Sequence, residues 1–158
     1  MLRKDRQSKG GGLITLIRDG LTWAEVPAPK AVLKQGAELL AVDVFPEQER
    51  AYRTVNLYLP PAYSGSFNWS ALAGDKLCEA PELLFCTDVN VHHPDWDPLR
   101  EADPGGKRLH AWLQKCGLRA FNDDDYCRER LFVAARSKTW APHNRKRCPM
   151  SSYVPASK

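Results

Sequence analysis

No apolar run in this sequence approaches the about 20 residues that a membrane-spanning helix needs, so no such span is expected. The first residues, MLRKDRQSKGGG, are basic but lack the apolar stretch of a secretory signal. Cysteine is sparse and unpaired in pattern. The five thiols, at 78, 86, 116, 127 and 148, form no CxxC pair, which removes the zinc ribbon from consideration. Their odd number and wide spacing predict reduced, packing thiols in an intracellular protein. No internal repeat is present, which excludes solenoids and arrays. What remains is an ordinary globular composition in 158 residues, enough for one domain with its own core.

Charge is unevenly spread. Residues 126–158 carry eight Lys or Arg and one acidic residue, a net of +7. The other 125 residues therefore hold 23 − 8 = 15 basic and 19 − 1 = 18 acidic side chains, a net of −3. A basic tail of this kind is either a solvated, disordered end or a contact for nucleic acid.

Apolar patterning places the elements. Leu13, Ile14, Leu16 and Ile17 sit between glycines and predict a short buried strand. Residues 21–37 read as a loop with a short strand near Trp23. GAELLAVDVFP (36–46) predicts a second strand, and YRTVNLYLPPAY (52–63) a third that its prolines end. The polar PEQER between them predicts an antiparallel hairpin. Trp69, Leu72, Ala73 and Leu77 have helical spacing, with Ser66 or Asn68 as cap. ELLFCTDVN predicts a fourth, buried strand. Gly105-Gly106 then precedes a helix carrying Leu109, Trp112, Leu113 and Cys116, stopped by Gly117. A short apolar segment, Leu118–Phe121, follows. Strand runs with interspersed helices predict an α+β fold, sheet against sheet with helices outside.

The stretch FCTDVNVHHPDWDP (85–98) concentrates polar chemistry at the end of a buried strand. Asp88 and Asn90 lie two apart, so on extended chain both face one side. A carboxylate that orients or deprotonates water, beside an amide that donates to phosphate oxygens, suits phosphodiester hydrolysis. Asp-x-Asn is equally a turn or capping sequence. His92 and His93 suggest a metal together with Asp88, Asp95 and Asp97. Neighbours on extended chain point apart, however, and no second ligand pair stands at metal spacing, so no metal centre is read here. The expectation is that one histidine packs or hydrogen-bonds within the loop, and that Trp96 anchors it. Tyr58 closes a strand before Pro60-Pro61. It is either a phosphate donor or a half-buried sheet aromatic.

These pieces, taken in order over about residues 10–123, resemble the endonuclease/exonuclease/phosphatase superfamily. They are most similar to the apurinic/apyrimidinic-endonuclease-like domains of non-LTR retrotransposons. GGGLITLIRDG resembles that group's Gly-Gly strand. ELLAVDV with YRTVNLYLPPAY resembles its hairpin and Tyr-x-Pro-Pro turn. LLFCTDVNVHHPDWDP resembles its Gly-Asp-Phe-Asn and His-His-Pro-x-Trp signature, and GGKRLHAWLQKCGLRAFND the helix after it. The resemblance implies a DNase I-like four-layer αββα sandwich that cleaves DNA with magnesium. It assigns Asp88 to the attacking water or leaving group, Asn90 to the scissile phosphate and Tyr58 to a place near that phosphate. His92, His93 and Trp96 would support the loop. The partners implied are DNA and a reverse transcriptase of the same element, in the nucleus.

The sequence departs from that pattern in ways that matter. The family's first strands, with an asparagine and the magnesium-binding glutamate, have no counterpart, nor has its late Ser-Asp-His motif. His143 lacks that context. Thr87 replaces a glycine, which predicts strain if the position needs φ > 0 or close backbone approach. The resulting expectation is a partial domain over 10–125, missing strands at both ends. It is flanked by a basic segment (1–9) and an aberrant tail (126–158) without strand alternation. A site short of its metal ligand is expected to be inactive alone, and the chain to expose sheet edges and apolar faces. The alternatives are a non-enzymatic nucleic-acid-binding remnant and a phosphoesterase of another branch.

Overall fold

A computed structural model gives the architecture and describes residues 1–6, 11–47, 49–73, 77–80, 82–120 and 132–136. Alternation sets the centre of the fold. In β4 (Glu38–Phe45), Leu39 and Ala41 point to one side and Leu40, Val42 and Val44 to the other. All five are buried, which is why the strand reads as a continuous apolar run. β5 (Tyr52–Tyr58) pairs antiparallel with β4, from Glu38↔Tyr58 to Val44↔Tyr52, as the predicted hairpin. β3 (Thr22–Val26) pairs antiparallel with β4 on its outer side.

The chain then crosses over through two single-turn helices, α2 (Pro61–Ser64) and α3 (Ser70–Ala73), into β6 (Leu83–Asp88). β6 runs parallel to β5. β8 (Phe132–Arg136) pairs antiparallel with β6, and β7 (Arg119–Ala120) with β8. The mixed sheet therefore has the order β3-β4-β5-β6-β8-β7. A separate antiparallel ribbon, β1 (Leu2–Asp5) with β2 (Gly12–Thr15), packs on β4 and β5.

The two faces of the sheet differ in chemistry. Leu39, Val55, Leu57, Leu83 and Phe85 face α1 (Lys30–Leu33), α3 and α4 (Pro104–Lys115) across the main core. Trp112 of α4 is its hub, with ring centroids 5.7 Å from Trp69 and 5.6 Å from Phe85. The opposite face carries Leu40, Val42 and Val44 of β4 and, on β5 and β6, Asn56, Tyr58 and Asp88, with Leu40 paired to Asn56. The β1-β2 ribbon lies on this face, where Asn56 Nδ2 donates to the carbonyl of Ile14 at 3.1 Å. Arg53 fastens the far end of the hairpin. It grips Asp43 with two bonds, of 2.7 and 2.9 Å, and donates to the Leu77 carbonyl at 3.1 Å.

Several expectations are corrected. The basic N-terminal segment contains a strand, β1, because pairing with β2 supplies the order that its own sequence lacks. Only Leu13 of the predicted buried strand is buried, while Ile14 and Leu16 are exposed. The stretch 21–37 contains the short strand expected near Trp23, as β3, and in addition the short helix α1. Of the helix predicted over 66–77, the described residues form one turn, Ser70–Ala73, with Asn68 Oδ1 accepting from the Ser70 amide at 3.1 Å. Trp69, Leu72 and Leu77 are buried all the same. Within the tail, Phe132–Arg136 form β8, because β6 offers them an open edge. The rest of the tail, with Phe121 and His143, lies outside the described residues. Leu40, Val42 and Val44 are buried where an uncovered apolar face was expected. The described residues show helices on one face of the large sheet and a ribbon on the other. No helical layer beyond that ribbon is among them.

Candidate functional site

Three neighbouring strands build a polar row. β4, β5 and β6 place Glu38 beside Tyr58 and Tyr58 beside Asp88, each pair in register. Residues paired in register share a face, so two carboxylates flank one phenol. Arg6, just past β1, completes the row. Its guanidinium bonds Glu38 and lies 5.2 Å from the centre of the Tyr58 ring. The bond to Glu38 holds the Arg6 guanidinium above its ordinary range, while burial acts the other way.

Asn90 joins this row by a different route from the one expected. The extended chain ends at Asp88, and Asn90 takes φ of 50°, the left-handed region that asparagine tolerates. The i, i+2 argument for a shared face therefore fails at Asn90. Two bonds to Leu59 replace it. Leu59 N donates to the Asp88 carbonyl at 2.8 Å, and Asn90 Nδ2 donates to the Leu59 carbonyl at 3.0 Å. Tyr58, Asp88 and Asn90 are thus brought together by the residue that follows the tyrosine. Thr87 is not strained: it sits inside β6, buried, between Leu57 and Phe132. Among the described residues Asn90 is the non-glycine with positive φ.

The loop after Asn90 is fastened at several points. Asp103 caps α4, its Oδ1 accepting from the Gly106 amide at 2.6 Å, while its Oδ2 accepts from the His92 amide at 2.8 Å. The glycines that precede the predicted helix are instead inside its first turn, where the loop lies against them. A Cβ on Gly106 would stand 1.8 Å from the His92 carbonyl oxygen, and one on Gly105 2.5 Å from a methyl of Val91. Trp96 is buried and donates from Nε1 to the Val91 carbonyl at 3.2 Å.

The two histidines point apart. His92 Nδ1 bonds Asp97 at 2.8 Å, and Arg100 approaches its Nε2 at 2.9 Å. His93 stacks between Trp96, at 5.0 Å, and His110 of α4, at 4.1 Å and 10°. Burial, then the field of His110, keeps the His93 imidazole below its ordinary pKa. Asp95 acts against this and Lys107 with it. His110 Nε2 in turn lies 2.8 Å from Asp95 Oδ2.

Sequence reasoning missed Arg6, Glu38 and His110. Glu38 was legible as the residue that the hairpin register sets opposite Tyr58. Arg6 and His110 carry no local signal.

Magnesium, which the family resemblance implies, is poorly served here. The row offers two carboxylates, Glu38 and Asp88, and Glu38 is engaged by Arg6, whose charge opposes a hard cation there. The described residues do not by themselves fit a magnesium site.

No family model matches this chain, and no curated protein matches it. Among solved structures it is similar to the endonuclease domain of TRAS1, a telomere-specific non-LTR retrotransposon. The TM-score is 0.60 at 17% identity, over 87% of this chain and 66% of that one. At this identity the likeness speaks for the fold, which is mixed α+β and endonuclease-like. The chain spans just under two thirds of that structure's length.

Proposed function

We propose that this chain is part of a nuclease-like domain of the non-LTR retrotransposon kind, one portion of a four-layer sandwich whose substrate is DNA. The observation that carries the reading is the row Glu38–Tyr58–Asp88, with Asn90 tied to it through Leu59. Asp88 would orient or accept a proton from water, Asn90 would donate to a phosphate oxygen, and Tyr58 would donate from its phenol. No step is routed through magnesium. With Arg6 on Glu38, the described residues offer little stabilisation for a developing pentavalent phosphate, so the chain alone is expected to leave plasmid DNA uncut. In a retroelement protein the same site would act on nuclear DNA, with a reverse transcriptase as its partner.

Supercoiled plasmid is the first assay. Magnesium-dependent nicking that Asp88→Ala abolishes would support the site and refute the expected inactivity. The second assay is binding of a short duplex, followed by fluorescence anisotropy. β8 lies within 126–158, so the tail must be cut after Arg136. That removes five basic residues and no acidic one. Binding that survives the cut and weakens in Tyr58→Phe and Asn90→Ala favours the site. Binding that vanishes with the cut, and whose salt dependence goes with it, favours the second reading, a basic tail on a non-catalytic remnant. Hydrolysis of a soluble phosphate ester without action on DNA would move the chain to another branch of the superfamily.

A further inference from the structure

The loop after Asn90 and helix α4 bring together three side chains that the polar row does not use. His93, Asp95 and His110 each offer one ligand atom, and these atoms lie within 4.8 Å of one another. Two imidazoles and one carboxylate form a borderline donor set, suited to zinc and unsuited to magnesium or calcium. Donors bound to zinc at 2.0–2.1 Å in tetrahedral array stand about 3.3 Å apart. The three groups therefore need to close by about 1.5 Å at most; Asp95, with its side chain 55% exposed, is free to move, and one imidazole must turn out of the parallel His93–His110 stack so that both ring planes meet at the ion.

The hydrogen bonding around His110 points the same way. Its Nε2 has Asp95 Oδ2 at 2.8 Å and Gln114 Nε2 at 3.2 Å. An imidazole nitrogen has a single in-plane direction: it donates to the carboxylate or accepts from the amide, but does not do both. A metal ion on Nε2, shared with Asp95, answers the carboxylate and frees the amide. Space is also at hand. A cavity of about 190 Å³ opens beside the cluster, lined by Asp95, His110 and Gln114 on its polar side and Leu113 and Leu118 on its apolar side.

We propose that His93, Asp95 and His110 form a zinc site that clamps the loop 91–103 onto helix α4. Two ligands come from the loop and one from the helix, so the ion bridges the elements that Asp103 also joins. Three protein ligands leave a fourth position for water or the Gln114 amide. The role is structural, and the site stands whether or not the polar row acts on DNA.

The test uses the full chain, stripped with chelator and titrated with zinc by calorimetry, then with cobalt(II) for its visible spectrum. The expected result is one ion per chain, a cobalt spectrum of low-coordinate nitrogen and oxygen ligands, and a zinc-dependent rise in melting temperature. Asp95→Asn and His110→Gln should each weaken binding by about tenfold or more. Asp95→Asn, at an exposed position, should keep the metal-free fold by circular dichroism, so a folding defect in the helix variant does not blunt the test. No zinc binding by the wild-type chain overturns the proposal. So does binding that both variants leave unchanged, or a thiolate-to-cobalt charge-transfer band, which would put the ion on cysteines.

Discussion

Asp103 holds two amides with one carboxylate, so its removal should be felt twice. Oδ1 caps α4 through Gly106, and loss of a cap costs about 1 kcal/mol. Oδ2 satisfies the His92 amide. Leaving a buried donor unmade costs about 1–3 kcal/mol, and this bond is only partly buried, so about 1 kcal/mol is appropriate. Asp103→Ala should therefore destabilise by about 2 kcal/mol, or about 4–8 °C in melting temperature for a chain of this size. Asp103→Ser separates the two roles. A serine hydroxyl caps a helix as well as a carboxylate but is too short to bridge to His92, so about half the loss should remain. Urea unfolding gives the stabilities and amide hydrogen exchange assigns them. The His92 amide should exchange faster in both variants, and the Gly106 amide only in Asp103→Ala. Equal losses in the two variants, or a loss in Asp103→Ala below about 0.5 kcal/mol, would refute the division of labour.

Other substitutions test other joints. Gly106→Ala places a methyl 1.8 Å from the His92 carbonyl oxygen, so the helix start or the loop must move. A cost of about 3 kcal/mol or more is expected in urea unfolding, where an alanine in an open helix turn would instead stabilise. Arg53→Ala removes the two-pronged bond to Asp43 and the bond to Leu77, and should cost about 1–2 kcal/mol. Arg53→Lys, which cannot form the fork, should recover less than half of that loss. Arg6→Met frees Glu38 beside Tyr58 and Asp88. Manganese, used as a paramagnetic probe, should then broaden resonances of β5 and β6 more in the variant than in the wild-type chain, and equal broadening would show that Arg6 does not hold the row closed to cations.

The legible parts of this sequence were those whose signal is local. Leu39–Val44 and Leu83–Phe85 are buried on both faces or on one, and their apolar runs say so. The α4 helix shows its apolar stripe at Leu109, Trp112 and Leu113. Gly117, with φ of 65°, ends it as a left-handed residue should. The single-turn helices α1, α2 and α3 are too short for periodicity to register. β1 is LRKD, whose single apolar residue, Leu2, is too little to announce a strand, and it exists because β2 pairs with it. FVAAR is strand-like in composition, but the surrounding basic charge masks it until β6 supplies an edge. The polar row was half legible. Tyr58 and Asp88 end their strands at prominent places, whereas Arg6 and Glu38 reach them only through register and ribbon packing. At Asn90 local reasoning failed for a physical reason: a strand rule was applied two residues past the strand's end.

The same distinction separates chemistry from scaffolding in this molecule. Tyr58 and Asp88 are held by backbone bonds between β5 and β6 and from Leu59, and Asn90 by its side-chain amide on the Leu59 carbonyl. The loop that follows is held by side chains: Asp103 on two amides, Trp96 on Val91, and the His93 stack on α4. Those fasteners leave little freedom in residues 91–106, and the missing Cβ atoms of Gly105 and Gly106 let loop and helix meet at backbone distance. Substitutions in the loop should therefore change stability and, through the chain, the setting of Asn90. Asp88→Asn, which keeps the size and an accepting oxygen of the side chain, should change what the polar face can do while leaving the fold almost as stable. A loss of DNA binding that tracks melting temperature across both groups would show that the row and the loop form one unit; independence of the two would show that the loop is a frame whose rigidity exists before any phosphate arrives.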